Sequence, residues 1–131
     1  MAKKKQSIDK QLDELWAEAV KVRAGYKCEY CGKTSHLNAH HIYSRSNYVV
    51  RWSIENGIAL CSGHHTLNAS FSAHKNPIEF YHWLLDYKGQ KWMDILREVS
   101  KHQYPTKAKD KREFKQNKLL LLQTYLQVNK K

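Results

Sequence analysis

Two short cysteine motifs in the first half of the chain have the spacing of a metal site. Cys28 and Cys31 are separated by two residues, and Cys61 is followed at the same spacing by His64. Each such turn presents two sulfur or nitrogen ligands, and zinc takes four of them in a tetrahedron. Three cysteines cannot all pair as disulfides, and the strand-and-helix pattern around a thioredoxin-type redox pair is absent. The spacing therefore predicts a structural zinc ion.

The same region contains more histidines than one zinc ion needs. His40 and His41 are adjacent, and neighbouring residues on a strand point to opposite faces. One imidazole can then bind a metal ion while the other accepts a proton from water, an arrangement suited to hydrolysis. His65 diverges from His64 by about 100° on a helix, so it can serve that second site. We interpret His36, His82 and His102 as ordinary core or surface residues.

Charge and composition indicate one small, strongly basic domain. The 131 residues carry a formal net charge of +11, and 41% of them are hydrophobic. The basic excess is concentrated in residues 1–50 and 104–131, as expected for a protein that binds a polyanion, although a lysine-rich tail also serves solubility. No apolar run is long enough for a membrane span or a signal sequence, so we expect a cytoplasmic protein without a membrane partner.

The pattern of apolar residues predicts an α+β fold. A first helix begins at Ser7 or Asp9 and ends near Gly25. Apolar stretches at 37–43, 48–52 and 58–60 predict a small irregular sheet, and a short helix starts near His64. Helices follow over 76–87, capped by Asn76, around 92–99, and from about 107 onwards.

The last helix contains four consecutive leucines, which cover most of its circumference. They are Leu119, Leu120, Leu121 and Leu122. One small core cannot bury all four, because successive residues of a helix are rotated by about 100°. Either the helix is enclosed within the fold, or these leucines contact a second copy of the chain or another protein.

Several of these elements, taken in order, resemble the zinc-stapled branch of the HNH endonucleases. The matching elements are Cys28-x2-Cys31, Ala39-His40-His41-Ile42, and Glu55-Asn56-Gly57-Ile58-Ala59-Leu60-Cys61-x2-His64-His65. These enzymes are metal-dependent DNases with a ββα-metal active site. The resemblance covers about residues 26–75, and the segment 71–80 is similar to phage-encoded members, for which the location would be the cytoplasm of the host cell.

The resemblance implies roles for individual residues. His40 and His65 would bind a catalytic divalent cation, and His41 would be the general base. Asn56 would brace the loop that carries His41, although Asn56-Gly57 is also a common hairpin-turn sequence. The substrate would be double-stranded DNA, cut to leave 5′-phosphate and 3′-hydroxyl ends. Arg45 is our first choice for a guanidinium at the scissile phosphate, ahead of Arg51 and Lys75.

The chain departs from the family pattern at two positions. His64 stands where the fourth zinc ligand is commonly cysteine, so His64, His65 and His74 compete for two roles; the knuckle spacing favours His64 for zinc. His40 stands where many members have aspartate, so Mn²⁺, Ni²⁺ or Co²⁺ fits the catalytic site as well as Mg²⁺ does. Asn68, one turn from His65, is a further candidate ligand.

We therefore expect residues 1–131 to form a single HNH nuclease domain. Residues 1–25 would be a basic tail and helix, 26–75 a zinc-stapled ββα-metal core, and 76–131 flanking helices with a second basic tail. The alternative is a non-catalytic zinc module that binds DNA or docks on a partner. That alternative accounts for the cysteines and the charge, but it leaves His40 and His41 without a role.

Overall fold

The computed structural model describes residues 6–67 and 71–129, and within them it has four α-helices and one two-stranded sheet. The elements in chain order are α1 (Ile8–Arg23), β1 (Leu37–His41), β2 (Gly57–Cys61), α2 (Pro77–Lys88), α3 (Gln90–Ser100) and α4 (Ala108–Asn129). A short 3₁₀ turn, Ile54–Asn56, precedes β2, and a π-helical turn, Gly63–Leu67, follows it. The predicted α+β class is confirmed.

The helix starts follow the sequence signals closely, with one difference. Ser7 is the N-cap of α1, and its Oγ accepts a hydrogen bond from the Lys10 N–H at 3.3 Å. Asn76 precedes α2, as expected, but its side chain does not cap that helix. Its Oδ1 instead accepts the Ser72 N–H at 2.9 Å. Asn76 is therefore the N-cap residue of α2, as predicted, but its side chain closes the preceding turn instead of bonding to the helix.

The sheet is an antiparallel pair of β1 and β2, in which His40 lies opposite Ile58 and His41 opposite Gly57. The predicted strand over 48–52 is wrong, because that segment forms turns closed by backbone hydrogen bonds such as Ser53 N–H to Val50 carbonyl at 3.0 Å. Its apolar residues are buried against α1 instead of pairing as a strand. Asn56-Gly57 is not the hairpin turn either, because the strands are joined by the long segment 42–56.

Each face of the sheet covers a separate apolar core. Along β2, Ala59 points to one core, whereas Ile58 and Leu60 point to the other. The core on the α1 side consists of Leu12, Trp16, Ala19, Val20, Trp52, Ala59 and Leu122. The core on the α2 side consists of Cys28, Ile58, Leu60, Cys61, Ala73, Phe80, Leu84 and Met93. Ile58, Ala59 and Leu60 of β2 thus alternate between the two cores.

Helix α4 packs along α1 through one side only. Leu122 is 2% exposed within the α1-side core, whereas Leu120 and Leu121 are 64% and 62% exposed. An ion pair of 2.8 Å between Lys115 and Asp9 joins the two helices at another point. The described part of the chain thus does not enclose α4 on all sides, and a partner at the exposed leucines stays a prediction. None of the described helices has the length and apolar character needed to cross a membrane.

Gly57 of β2 lies very close to α1. A Cβ atom added there would overlap the Val20 side chain and lie 2.9 Å from Trp16 Cζ2. We expect Gly57→Ala to lower the free energy of unfolding by about 1–3 kcal/mol, because an overpacked core must shift. Gly63→Ala is the control, since its nearest neighbour would be Cys61 Sγ at 3.8 Å. Urea unfolding with zinc present measures both; equal stabilities would contradict the close approach.

Candidate functional site

The three cysteines and His64 lie together beside the end of β2, and their ligand atoms are all within 4.8 Å of one another. Cys31 Sγ lies 3.8 Å from Cys61 Sγ, and His64 Nδ1 lies 3.3 Å from Cys61 Sγ and 3.8 Å from Cys28 Sγ. A zinc tetrahedron with bonds of about 2.3 Å to sulfur places two sulfurs about 3.8 Å apart. The cluster is therefore compatible with a structural zinc site.

Backbone and ion-pair contacts hold the first cysteine pair against the sheet. The Glu29 N–H donates to the Ala59 carbonyl at 2.8 Å, and a Glu29 carboxylate oxygen accepts the Ala59 N–H at 2.7 Å. Glu29 also forms ion pairs with Arg23 and Lys88, from α1 and α2. These contacts bring the loop that carries Cys28 and Cys31 beside β2, so that distant parts of the sequence supply one ligand set.

The surroundings change the pKa of two cysteines, and Cys28 has the more acidic thiol of the two. Burial raises the pKa of Cys28, but backbone N–H groups of Cys61, Cys31 and Tyr30 and the His64 ring together outweigh it and lower the pKa to about 7. Burial raises the pKa of Cys31, which shares the cluster. Zinc binds cysteine as the thiolate, so the N–H groups around Cys28 favour the form that a metal site needs.

A second cluster lies on the α2 side of β1 and consists of His40, His65 and His74. One ring nitrogen of each residue lies within 4.8 Å of those of the other two. The Nε2 atoms of His65 and His74 are 3.0 Å apart, and the His40 ring centroid is 5.2 Å and 5.0 Å from theirs. The structure thus brings the predicted pair His40 and His65 together and adds His74, whereas His64 stays with the cysteines.

Local backbone hydrogen bonds place His74 in this cluster. The Ala73 N–H donates to the His64 carbonyl at 2.8 Å, and the His74 N–H donates to the His65 carbonyl at 3.1 Å. The segment before α2 is therefore bound to the π-helical turn that carries His64 and His65. No short spacing in the sequence predicts this contact, because eight residues lie between His65 and His74 and the contact forms only in the folded chain.

The surroundings of His40 and His65 in the second cluster favour the neutral form of their imidazoles. Burial, together with the neighbouring rings of His65 and His74, lowers the pKa of His40 to about 3. Burial also lowers the pKa of His65, with a further contribution from His74. A neutral imidazole has a free lone pair, which is the form that binds a metal ion. Both residues are therefore uncharged and able to act as ligands at pH 7.

His41 occupies the opposite face of β1, against α1. Its ring stacks on Trp16, with centroids 3.7 Å apart and planes 9° from parallel. Its Nε2 lies 2.9 Å from the Arg51 carbonyl oxygen, which can only accept, so Nε2 must carry the proton. Burial lowers the pKa of His41, and the Arg51 hydrogen bond and the Asp13 carboxylate oppose this only in part. The neutral ring therefore has its lone pair on Nδ1.

Asn56 is fully buried and spans the loop between the strands. Its Oδ1 accepts the Tyr43 N–H at 2.7 Å, and its Nδ2 donates to the carbonyls of Tyr43 and Val50 at 3.0 and 3.2 Å. The Asn56 carbonyl also accepts the Ile42 N–H, next to His41. All of these bonds lie within the segment that follows His41, so Asn56 fixes the course of that loop.

The predicted phosphate-contacting cations have different surroundings. The Arg45 side chain is 66% exposed and forms an ion pair with Asp13 at 3.3 Å. Arg51 is buried, and its guanidinium binds Asp13, so it is not available to an external phosphate. Lys75 Nζ donates to the Leu67 carbonyl at 3.2 Å. The candidate ligand Asn68 lies outside the described residues.

Comparisons with known proteins add no assignment to this geometry. Models of protein families, curated proteins and solved structures were compared with the chain, and none of them matches it. The features that bear on function are therefore the two side-chain clusters and His41, whose ring packs against α1.

The first cluster predicts the metal content of the purified protein. We expect Cys61→Ser to lose about one zinc per chain and to lower the unfolding temperature by at least about 10 °C, since each kcal/mol corresponds to about 3–5 °C in a domain of this size. His82→Ala, an exposed histidine on α2, is the control and should change neither quantity. Elemental analysis and thermal unfolding measure both; an unchanged zinc content in Cys61→Ser would rule out the site.

Proposed function

We propose that the protein is a metal-dependent DNA endonuclease of the HNH type, with β1, β2 and the following helical turn as its ββα-metal core. One observation carries the proposal. His40, His65 and His74 converge on one point, while His41, the next residue after His40, presents an unprotonated Nδ1. Three ligands for an ion and one free base in adjacent positions are what hydrolysis of a phosphodiester requires.

The donor atoms of the second cluster indicate which cations fit. All three candidate ligands are imidazole nitrogens, and no carboxylate is among the described members of the cluster. Imidazole suits transition metals, whereas Mg²⁺ prefers oxygen. We therefore rank Mn²⁺, Ni²⁺ and Co²⁺ above Mg²⁺ as activators. A cation held there would stabilise negative charge on the phosphate oxygens and on the departing 3′ oxygen.

In the proposed reaction His41 removes the proton from the attacking water. The Nε2–H bond to the Arg51 carbonyl keeps the tautomer in which Nδ1 is the acceptor. The water oxygen forms a bond to phosphorus as the bond to the 3′ oxygen breaks, and the 3′ oxygen takes a proton from solvent, so that a 5′-phosphate and a 3′-hydroxyl are left. Because His40 and His41 occupy opposite faces of β1, the scissile phosphate must lie across the end of that strand.

Exposed cations support double-stranded DNA as the substrate. Arg45 is the exposed guanidinium closest in sequence to His41, and a phosphate could replace Asp13 as its partner. Along α4, Lys109, Lys111 and Arg112 are all exposed. These charges attract a polyanion without reading its sequence. We therefore propose that duplex DNA lies across the end of β1 and is attracted by the basic residues of α4.

The base is tested with a variant that keeps its hydrogen bond. Glutamine at position 41 can still donate to the Arg51 carbonyl, but it has no basic nitrogen. We expect His41→Gln to slow plasmid nicking by about 10²–10⁴-fold with Mn²⁺, Ni²⁺ or Co²⁺, and to retain the zinc content and the fold. His82→Ala should cut at the wild-type rate. A chelator should abolish cutting by the wild-type protein and by His82→Ala.

The same assay distinguishes the enzyme from a non-catalytic zinc module. If the wild-type protein binds DNA but cuts it with none of Mg²⁺, Mn²⁺, Ni²⁺ and Co²⁺, the alternative is correct. A His41→Gln variant that cuts as fast as the wild type would remove the proposed base, whichever cation is used.

The exposed cations of α4 predict a change in salt dependence. Deleting α4 would also remove the buried Leu122, so substitutions are the better test. We expect the triple variant Lys109→Gln, Lys111→Gln, Arg112→Gln to bind DNA more weakly, with a log K against log salt slope reduced by up to about 0.9 for each lost phosphate contact.

The matched control neutralises three exposed cations at α3 and its end. These substitutions are Lys91→Gln, Arg97→Gln and Lys101→Gln. Both triple variants lose the same formal charge, so a difference between their slopes in fluorescence anisotropy titrations reports the position of the DNA. Equal slopes would show that α4 is not the contacting face.

A further inference from the structure

Helix α1 contributes two side chains to the surroundings of His41, although it lies outside the segment with the metal-ligand motifs. Trp16 stacks on the imidazole with centroids 3.7 Å apart. Trp16 is itself held in place, because it is buried in the α1-side core and its Nε1–H donates to the Ser53 carbonyl at 2.7 Å. The plane of the His41 ring is thus set by a side chain that cannot move independently of the core.

Asp13 holds the segment that supplies the second contact of His41. Its carboxylate accepts hydrogen bonds from Arg51 Nε at 3.1 Å, Arg51 Nη2 at 2.8 Å and Trp52 Nε1 at 2.9 Å. Arg51 and Trp52 are both buried. The carbonyl that accepts the His41 Nε2–H belongs to Arg51. The Asp13 carboxylate therefore holds Arg51 and Trp52, and Arg51 in turn holds the imidazole of His41.

We propose that Asp13 and Trp16 of α1 are positioning residues for the general base. Trp16 sets the plane of the His41 ring. Asp13 fixes the Arg51 carbonyl, which sets how the His41 ring is rotated within that plane. The inference rests on the proposed function, because it assigns His41 as the base. Neither residue accepts or donates the transferred proton in the proposed reaction. Their effect is on the direction of the Nδ1 lone pair, and a base must point at the proton that it removes.

The chain offers a matched control for Asp13 on the same helix. Asp9 lies one turn earlier in α1 and forms an ion pair with Lys115 of α4 at 2.8 Å. Asp9→Asn and Asp13→Asn therefore change the net charge equally, and each removes a carboxylate that joins α1 to another part of the chain: α4 for Asp9, and residues 45–52 for Asp13. Asp9 makes no hydrogen bond to residues 51–52 in the described structure. A purely structural role of α1 would affect both variants alike.

The experiment compares steady-state DNA cleavage by these variants with saturating Mn²⁺, below the unfolding temperature of each. We expect Asp13→Asn to lower kcat about 10-fold or more, with KM within about twofold of wild type. Asp9→Asn should keep the wild-type kcat. Asp13→Glu, which retains the carboxylate, should recover part of the loss.

A spectroscopic signature reports the ring directly. Stacking on Trp16 shifts the His41 ring-proton resonances upfield, and we expect Asp13→Asn to move them towards ordinary positions while those of the exposed His82 stay unchanged. If Asp13→Asn does not fold, Trp16→Phe replaces it, because phenylalanine keeps an aromatic ring but loses the bond to the Ser53 carbonyl. The same fall in kcat is expected.

The outcomes separate this inference from the proposed function. Equal kcat values for Asp13→Asn and Asp9→Asn, or for Trp16→Phe and wild type, overturn the positioning role while an inactive His41→Gln leaves the nuclease assignment intact. A wild-type protein that never cuts DNA overturns the nuclease assignment. A fully active His41→Gln overturns the assignment of His41 as the base, and either result removes the inference as well.

Discussion

The alternation of side chains along β1 is the constraint on which the candidate site depends. His40 and His41 are consecutive, yet one meets His65 and His74 and the other meets Trp16. The pairing register of β1 with β2 decides which side of the sheet each histidine faces, and a shift of one residue would exchange the two histidines. That register is fixed by β2, whose five residues are all buried. The burial of an apolar strand, β2, thus determines the surroundings of His40 and of His41.

The two sides of the sheet supply different kinds of support. On the α2 side, the cysteine cluster joins the loop after α1 to the end of β2, where few elements of regular structure are present to hold it. On the α1 side, the imidazole of His41 is held by side chains of the core and by a carbonyl of the loop between the strands. A chain of this length can therefore present rigid imidazoles without a large sheet.

Local patterns were sufficient to predict the first cluster and the α+β class. The two knuckles carry their ligands at fixed short spacings, and the helices follow from period and from start signals. The third histidine of the second cluster, His74, was only one of several alternatives, because its position depends on backbone bonds to the π-helical turn. The contacts of Asp13 and Trp16 with the loop and His41 depend on how α1 docks, and no motif encodes docking. The false strand at 48–52 has the same origin, since its apolar residues are buried by α1 and not by a neighbouring strand.

The π-helical turn joins the two clusters by a single peptide bond. His64 belongs to one cluster and His65 to the other, and residues 73–74 are hydrogen-bonded to both. Under the proposed function, an ion bound in either cluster would restrict this turn and so reduce the conformational entropy lost when the other cluster binds its ion. The affinities of the two clusters would then be linked, and the linkage would be reciprocal. The protein would then bind its ions cooperatively, and removal of metal would affect the fold and the catalytic site together.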